Sequence, residues 1–143
     1  MVILDTDRLT VIQRQSHPAF SFLTARLRRT PREDVCTTII SVEEQMRGWL
    51  AVIGHAKKIE QEIAGYHRLH ALFSFFAQIP VLNFDESAAA RFQQLKRLRI
   101  RLGSMDLKIA AIAVSQNATL LSRNLSDFRR IPGLNIEDWT QGK

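Results

Sequence analysis

The hydrophobic and polar positions of this chain form short apolar runs that alternate with longer stretches of helical periodicity. Short runs that are apolar or rich in β-branched residues are typical of buried strands. Five such runs cover residues 1–4, 35–40, 80–84, 119–121 and 134–136. Strands that alternate with helices predict a parallel sheet with helices on both faces. We therefore expect one α/β domain over residues 1–143, with a central sheet of four to five strands.

The stretches between these runs have apolar residues at steps of three or four, as amphipathic helices do. Ser41 and Glu44 form a Ser-x-x-Glu capping box at the start of one helix, and Gly103 is expected to end another. The helix after Gly103 is apolar almost all round, so it is expected to be central and buried. The predicted helices cover about residues 6–15, 16–30, 41–54, 59–78, 85–103 and 104–116, with a short turn or helix around residue 127.

Composition limits the classes of protein to which the chain can belong. No apolar run approaches the roughly 18 residues of a membrane span, and no basic region precedes an apolar stretch at the start. The single cysteine, Cys36, excludes an internal disulfide framework and agrees with a reducing cytosol, so we expect a cytoplasmic protein. The 20 Lys and Arg residues against 14 Asp and Glu give a net charge of +6, which is compatible with a phosphate-bearing partner.

Four carboxylates stand at or just after the predicted start of a helix or turn: Asp5, Glu44, Asp106 and Asp127. In an open parallel sheet the ligand crevice lies outside the carboxyl ends of the strands, and three of the four acids follow predicted strands. Each acid alone also has a structural explanation, because acids in a first turn complement the helix dipole. Glu44 in particular completes the predicted capping box.

Together the four acids favour a divalent cation site. Asp106 begins the apolar helix, and a carboxylate at a buried position needs a partner. The basic residues cluster elsewhere along the chain, so a cation is the simplest common partner, and oxygen-rich sites suit Mg²⁺ or Mn²⁺. Zinc would draw Cys or His ligands, but His67 and His70, three residues apart, have no third ligand nearby.

The segments around these acids resemble the four acidic motifs of PIN-domain nucleases. The closing segment 130–139, Arg-Ile-Pro-Gly-Leu-Asn-Ile-Glu-Asp-Trp, resembles the end of VapC-type toxins in that family. The similarity covers nearly the whole chain and implies a PIN-like three-layer fold, a metal-dependent ribonuclease and regulation by a cognate antitoxin. The motif segments are 2–7 (Val-Ile-Leu-Asp-Thr-Asp), 40–44 (Ile-Ser-Val-Glu-Glu), 103–111 (Gly-Ser-Met-Asp-Leu-Lys-Ile-Ala-Ala) and 122–128 (Ser-Arg-Asn-Leu-Ser-Asp-Phe).

The resemblance implies that Asp5, Glu44, Asp106 and Asp127 hold the metal or metals, with Asn124 in a supporting role. Asp7 departs from the asparagine that is often found two residues after the first aspartate, and it is not counted as a ligand. The helical pair over residues 41–78 is similar to the insertion through which such proteins often form homodimers. Contacts to RNA phosphates are assigned to three arginines, for which ordinary surface charge is an equal alternative: Arg47, Arg101 and Arg123.

Two other functions stay open. Asp5 and Asp7 after a first strand also match the Asp-x-Asp of haloacid-dehalogenase-like phosphatases, in which the first carboxylate attacks phosphorus and the second transfers a proton. That hypothesis leaves Glu44 without a role. The chain could instead be a PIN-like RNA-binding module without catalysis, which would bind RNA but not cleave it in the presence of metal.

Overall fold

A computed structural model, which describes residues 1–142, contains one sheet of five parallel strands. The strand order is β3-β2-β1-β4-β5, so the first strand lies at the centre. The predicted parallel α/β sheet is therefore confirmed. The strands are β1 (Val2–Leu4), β2 (Val35–Thr38), β3 (Val81–Leu82), β4 (Thr119–Leu121) and β5 (Asn135–Glu137).

Seven helices connect the strands of the described chain. Within residues 1–142, none of them combines the length and the apolar character that crossing a bilayer requires. The helices are α1 (Thr6–Arg14), α2 (Ala19–Leu27), α3 (Ile39–Gly54), α4 (Ile59–Phe76), α5 (Glu86–Arg97), α6 (Ser104–Ser115) and α7 (Leu125–Phe128).

The hydrophobic core has two parts, one on each face of the sheet. On one face Ile3 and Leu120 pack in a cluster with α5 and α6, and Leu107 and residues 109–113 of α6 are all buried. This confirms that the helix after Gly103 is central. On the other face the core contains residues of α1, α2, β1 and β4 together with Trp139. Both faces of the sheet are covered, as an all-parallel sheet requires.

The strand order changes direction between β1 and β4. The chain moves from β1 outward through β2 to β3 and then returns to the other side of β1 as β4. In open α/β sheets the ligand crevice lies outside the carboxyl ends of the strands at such a switch point. Asp5 lies there, because its backbone N–H donates to the carbonyl of Leu121 at the end of β4, at 3.0 Å.

The predicted capping box at Ser41 and Glu44 is wrong. Helix α3 begins at Ile39, and its N-cap is Thr38, whose side chain accepts a hydrogen bond from the Ser41 N–H at 3.2 Å. Thr38 lies at the end of a strand in extended conformation, which is what an N-cap residue requires. Strand β2 is accordingly two residues shorter than predicted, and the Glu44 side chain is free for another purpose.

The predicted end of the fifth helix at Gly103 is also wrong. Helix α5 ends at Arg97, and Arg99 adopts the left-handed region with φ 52°, which stops helical hydrogen bonding. Gly103 has ordinary extended backbone and is the N-cap of α6. Residues 98–103 are therefore a connection, and Arg101 lies on it. Strand β3 is two residues long rather than five, and β5 begins one residue later than predicted.

Candidate active site

Asp5 is the most buried of the four acids, with 6% of its surface exposed. Its Oδ1 accepts a hydrogen bond from the Thr6 N–H at 2.8 Å, which caps α1, and its Oδ2 accepts one from the Ser122 hydroxyl at 2.8 Å. The pKa of Asp5 is raised from 3.8 to about 7, chiefly by burial and next by the negative charge of Asp7. Asp5 thus both caps a helix and is an acid whose ionisation is opposed by its surroundings.

Glu44 lies in the second turn of α3 and faces the start of α1. Its Oε1 accepts a hydrogen bond from the Thr6 hydroxyl at 3.1 Å, and that hydroxyl is also 3.0 Å from the Ser41 hydroxyl. Burial raises the pKa of Glu44, and the charge of Asp106 adds to the effect. Because Thr38 caps α3, Glu44 is not a capping residue, so its structural explanation is removed.

Asp106 and Asp127 are contributed by the later helices α6 and α7. Asp106 lies in the first turn of α6, where burial raises its pKa, followed by the charge of Asp127. Asp127 Oδ2 accepts a hydrogen bond from Asn124 Nδ2 at 3.0 Å, and the Asn124 N–H donates to the Ser122 hydroxyl at 3.1 Å. The loop between β4 and α7 therefore orients Asp127 through Asn124 and Asp5 through Ser122.

The four carboxylates act on one another electrostatically. Burial is the largest cause of the raised pKa values of Asp5, Glu44 and Asp106. The charge of Asp106 adds to the increase for Asp5 and Glu44, and the charge of Asp127 adds to the increase for Asp106. In the part of the chain that the structure describes, no Lys, Arg or His forms an ion pair with any of the four. The structure thus brings the predicted acids together at one edge of the sheet without a cationic side chain to balance them.

The donors at this edge are all oxygen atoms, which fits a hard divalent cation such as Mg²⁺ or Mn²⁺. As the side chains stand, no three acidic, histidine or cysteine groups among residues 1–142 are close enough to bind one ion together. Asp5, Glu44 and Asp127 instead accept hydrogen bonds from Ser122, Thr6 and Asn124. A shared ion would require these side chains to leave the positions shown, and the four carboxylates, which have no basic partner among residues 1–142, would then supply its oxygen ligands.

Arg8 is a residue of this region that the sequence did not single out. It is 3% exposed, and its guanidinium binds Asp7 (Nε to Oδ1, 3.0 Å), Asp138 (Nη1 to Oδ1, 3.1 Å) and the Thr140 hydroxyl (2.7 Å). Asp7 Oδ2 also accepts the Arg123 N–H at 3.2 Å. Arg8 therefore connects the acidic edge to the segment after β5. Nothing in the local sequence pattern marks Arg8 as buried, since its acidic partner Asp138 is 130 residues away.

The three predicted phosphate-binding arginines are exposed. Arg47 lies one turn after Glu43 on α3 and pairs with it, Nη2 to Oε2, at 2.8 Å. Arg101 lies on the connection before α6, and Arg123 lies between Ser122 and Asn124, next to the acids. His67 and His70 are exposed on α4, whereas Cys36 is buried and its thiol pKa is raised by burial.

Residues 2–134 match the family model of the PIN domain. The match covers most of the chain, and the chain therefore belongs to the PIN domain family. This membership confirms the expected family and removes the haloacid-dehalogenase-like alternative.

Named relatives give finer detail over parts of the chain. One segment is 33% identical over 84 residues to the tRNA(fMet)-specific endonuclease VapC of Salmonella typhimurium, covering 56% of this chain and 64% of that protein. A segment is 30% identical over 69 residues to ribonuclease VapC2 of Rickettsia felis, covering 46% and 52%. The chain thus spans less than two thirds of these two relatives in the matched segments.

The fold extends further than these matched segments. The chain is similar to a chain of the DNA-bound VapBC from Salmonella typhimurium, with a TM-score of 0.75 and 26% identity, covering 96% of this chain and 97% of that one. The predicted PIN-like three-layer fold is confirmed.

Proposed function

We propose that this chain is a divalent-metal-dependent endoribonuclease and the toxin component of a toxin–antitoxin pair. The observation that supports the proposal most is that Asp5, Glu44, Asp106 and Asp127 lie near one another at the switch point of the sheet without an ion-pair partner among residues 1–142. Membership of the PIN domain family and the ribonuclease names of the matched relatives support the same activity. The expected RNA substrate agrees with the net charge of +6.

In this proposal Asp5, Glu44, Asp106 and Asp127 hold Mg²⁺ or Mn²⁺. Bound there, the metal would supply an activated water and would stabilise the charge that develops on the phosphate and on the leaving oxygen. The protein's own part is to keep the carboxylates at this edge of the sheet: Ser122 binds Asp5, Thr6 binds Glu44 and Asn124 binds Asp127. A protein nucleophile is then not required, because water is the attacking group.

Asp7 adds a fifth negative charge near this site but is held by Arg8 and by the Arg123 N–H. We propose that Asp7 balances Arg8 rather than binding metal. A non-catalytic RNA-binding module remains the alternative function. It does not explain why the charges of three acids oppose one another without a basic partner, which is costly unless a cation binds.

We further propose a homodimer formed by α3 and α4 and inhibition by a separate antitoxin protein in the cytoplasm. Large apolar side chains along these helices are exposed, and exposed apolar patches of this extent mark interaction surfaces. Phe73 is 64% exposed. The VapBC complex of similar fold supports an antitoxin partner. The exposed side chains of this dimer patch are Leu50, Ile59, Ile63, Tyr66 and Phe73.

The test is RNA cleavage by wild type and by Asp106→Asn in Mg²⁺ or Mn²⁺. The variant should lose activity and keep its fold, because Asn is nearly isosteric and neutral. Asp85→Asn is the matched control: Asp85 caps α5 by accepting the Ala88 N–H at 2.9 Å and is exposed, away from the acids. Cleavage by Asp106→Asn at the wild-type rate refutes the assignment, and an unfolded Asp106→Asn supports a purely structural role instead.

A further inference from the structure

Two adjoining cavities form a groove that starts beside Glu44 and extends along α1 and α3 to α4. The inner cavity, of about 340 Å³, includes Glu44, Gln13, Arg14 and Trp49. The outer cavity, of about 460 Å³, shares Gln13, Arg14 and Trp49 with the inner one and continues to Arg68 on α4. Both volumes fall in the range of small-ligand pockets. We call the two cavities together the basic groove.

The junction of the two cavities is fixed by a pair of amide side chains. Gln13 Nε2 donates to Gln45 Oε1 at 2.8 Å, and Gln45 Nε2 donates to Gln13 Oε1 at 2.9 Å. These reciprocal bonds join α1 to α3 without adding charge. They hold α1 and α3 together at this point of the groove.

The outer cavity combines positive charge with an aromatic face. Arg14 and Arg68 both line it, no acidic side chain does, and the guanidinium carbon of Arg68 lies 6.0 Å from the centre of the Trp49 ring. Within residues 1–142 neither arginine forms an ion pair. Guanidinium groups that are free to bind phosphate, next to an aromatic ring on which a base can stack, are the two elements of single-stranded nucleic acid binding.

We propose that the basic groove binds the single-stranded RNA segment next to the scissile phosphate, with one base stacked on Trp49 and flanking phosphates against Arg14 and Arg68. The proposal rests on the nuclease function proposed above. It adds a binding site on the Glu44 side of the acids, whereas Arg101 and Arg123 lie on connections before α6 and after β4.

The basic groove and the proposed dimer patch use different sides of α4. At 100° per residue, Arg68, Ala71 and Phe75 lie on the side of the helix opposite to Ile59, Ile63 and Tyr66. The first set lines the outer cavity, and the second set is exposed. A homodimer formed through the exposed side therefore leaves the groove open to RNA.

The test separates kcat from KM for cleavage of a mixed-sequence single-stranded RNA oligonucleotide in Mg²⁺ at several salt concentrations. Trp49→Ala should raise KM roughly 5- to 150-fold, the range expected for one lost base stack, with little change in kcat, and Trp49→Phe should restore most of the affinity. Arg14→Ala and Arg68→Ala should each lower the slope of log affinity against log salt by about 0.7. Arg97→Ala, the same charge change at an exposed site on α5, should leave that slope as in wild type.

A second measurement does not depend on cleavage. Stacking of a base on Trp49 should quench tryptophan fluorescence when the oligonucleotide is added in EDTA, and Arg68→Ala should weaken this response. The other tryptophan, Trp139, is buried and should not respond. Quenching without any cleavage by wild type in metal refutes the nuclease proposal but supports the groove as an RNA site.

Two outcomes overturn the proposal for the groove while the nuclease function stands. In the first, wild type cleaves RNA and the Trp49, Arg14 and Arg68 variants all behave as Arg97→Ala does. In the second, those variants keep the wild-type KM but bind an acidic antitoxin peptide more weakly. The basic groove would then be a protein-binding site.

Discussion

The metal-free protein should lose stability as the pH rises through neutrality, and Asp5 should be the largest cause. The pKa of Asp5 is raised from 3.8 to about 7 in the folded protein, chiefly by burial. The folded state therefore holds the Asp5 proton more tightly than the unfolded state does. This contribution to stability is complete below about pH 3.8 and is lost as the pH rises through about 7.

The two pKa values give the magnitude. The loss from Asp5 is about 2 kcal/mol at about pH 5.5 and about 4 kcal/mol at about pH 8, so it grows by about 2 kcal/mol between them. Glu44 and Asp106 also have raised pKa values and change stability in the same direction. The wild-type change over this interval should therefore be at least that of Asp5 alone.

Urea unfolding in EDTA at these two pH values measures the effect directly. Asp5→Asn cannot ionise at this position, so its free energy of unfolding should fall by about 2 kcal/mol less than that of wild type between about pH 5.5 and about pH 8. Asp85→Asn, at the exposed cap of α5, should keep the wild-type change. Equal changes in wild type and Asp5→Asn would show that Asp5 is not the buried, strained acid described above.

Three further predictions concern residues around the site and the dimer patch. Arg8→Ala should cost about 3–5 kcal/mol in urea unfolding because it leaves Asp138 partly buried without its partner, and Arg8→Lys should cost less; a loss below about 1 kcal/mol in Arg8→Ala would contradict the buried pairing. Thr6→Val should lower kcat for RNA cleavage more than it changes KM, because Glu44 loses the hydroxyl that orients it; an unchanged kcat would exclude this role. Phe73→Glu should convert the dimer to a monomer in light scattering, and a wild-type protein that is already monomeric at micromolar concentration would refute the dimer.

The sequence predicted the sheet well because strands depend on local patterns, and it also indicated where along the chain the four acids stand. Short apolar runs such as residues 1–4 and 119–121 are too short for helices, and their ends fix where Asp5 and the segment before Asp127 lie. Once the strands are parallel, their carboxyl ends meet at one edge. The positions of these acidic segments relative to the strands can therefore be predicted without knowledge of the packing.

The features that were missed depend on competition or on distant contacts. Thr38 and Ser41 are both good N-caps three residues apart, and only packing of α3 against the end of β2 decides for Thr38. Arg99, just after the end of α5, adopts a left-handed conformation that its residue type does not predict. Arg8 meets Asp138 and Thr140 only after the chain has folded, and no periodicity relates residues so far apart.

The most direct test of the acidic site is Mn²⁺ binding to the folded protein, followed as thermal unfolding with Mn²⁺ and with EDTA. At about a hundred times its Kd, Mn²⁺ should stabilise wild type by about 2.7 kcal/mol. Asp106→Asn should lose most of this gain and remain folded in EDTA, because one ligand is removed and one repulsion is relieved. A wild-type unfolding midpoint that excess Mn²⁺ leaves unchanged would contradict a metal site formed by these four carboxylates.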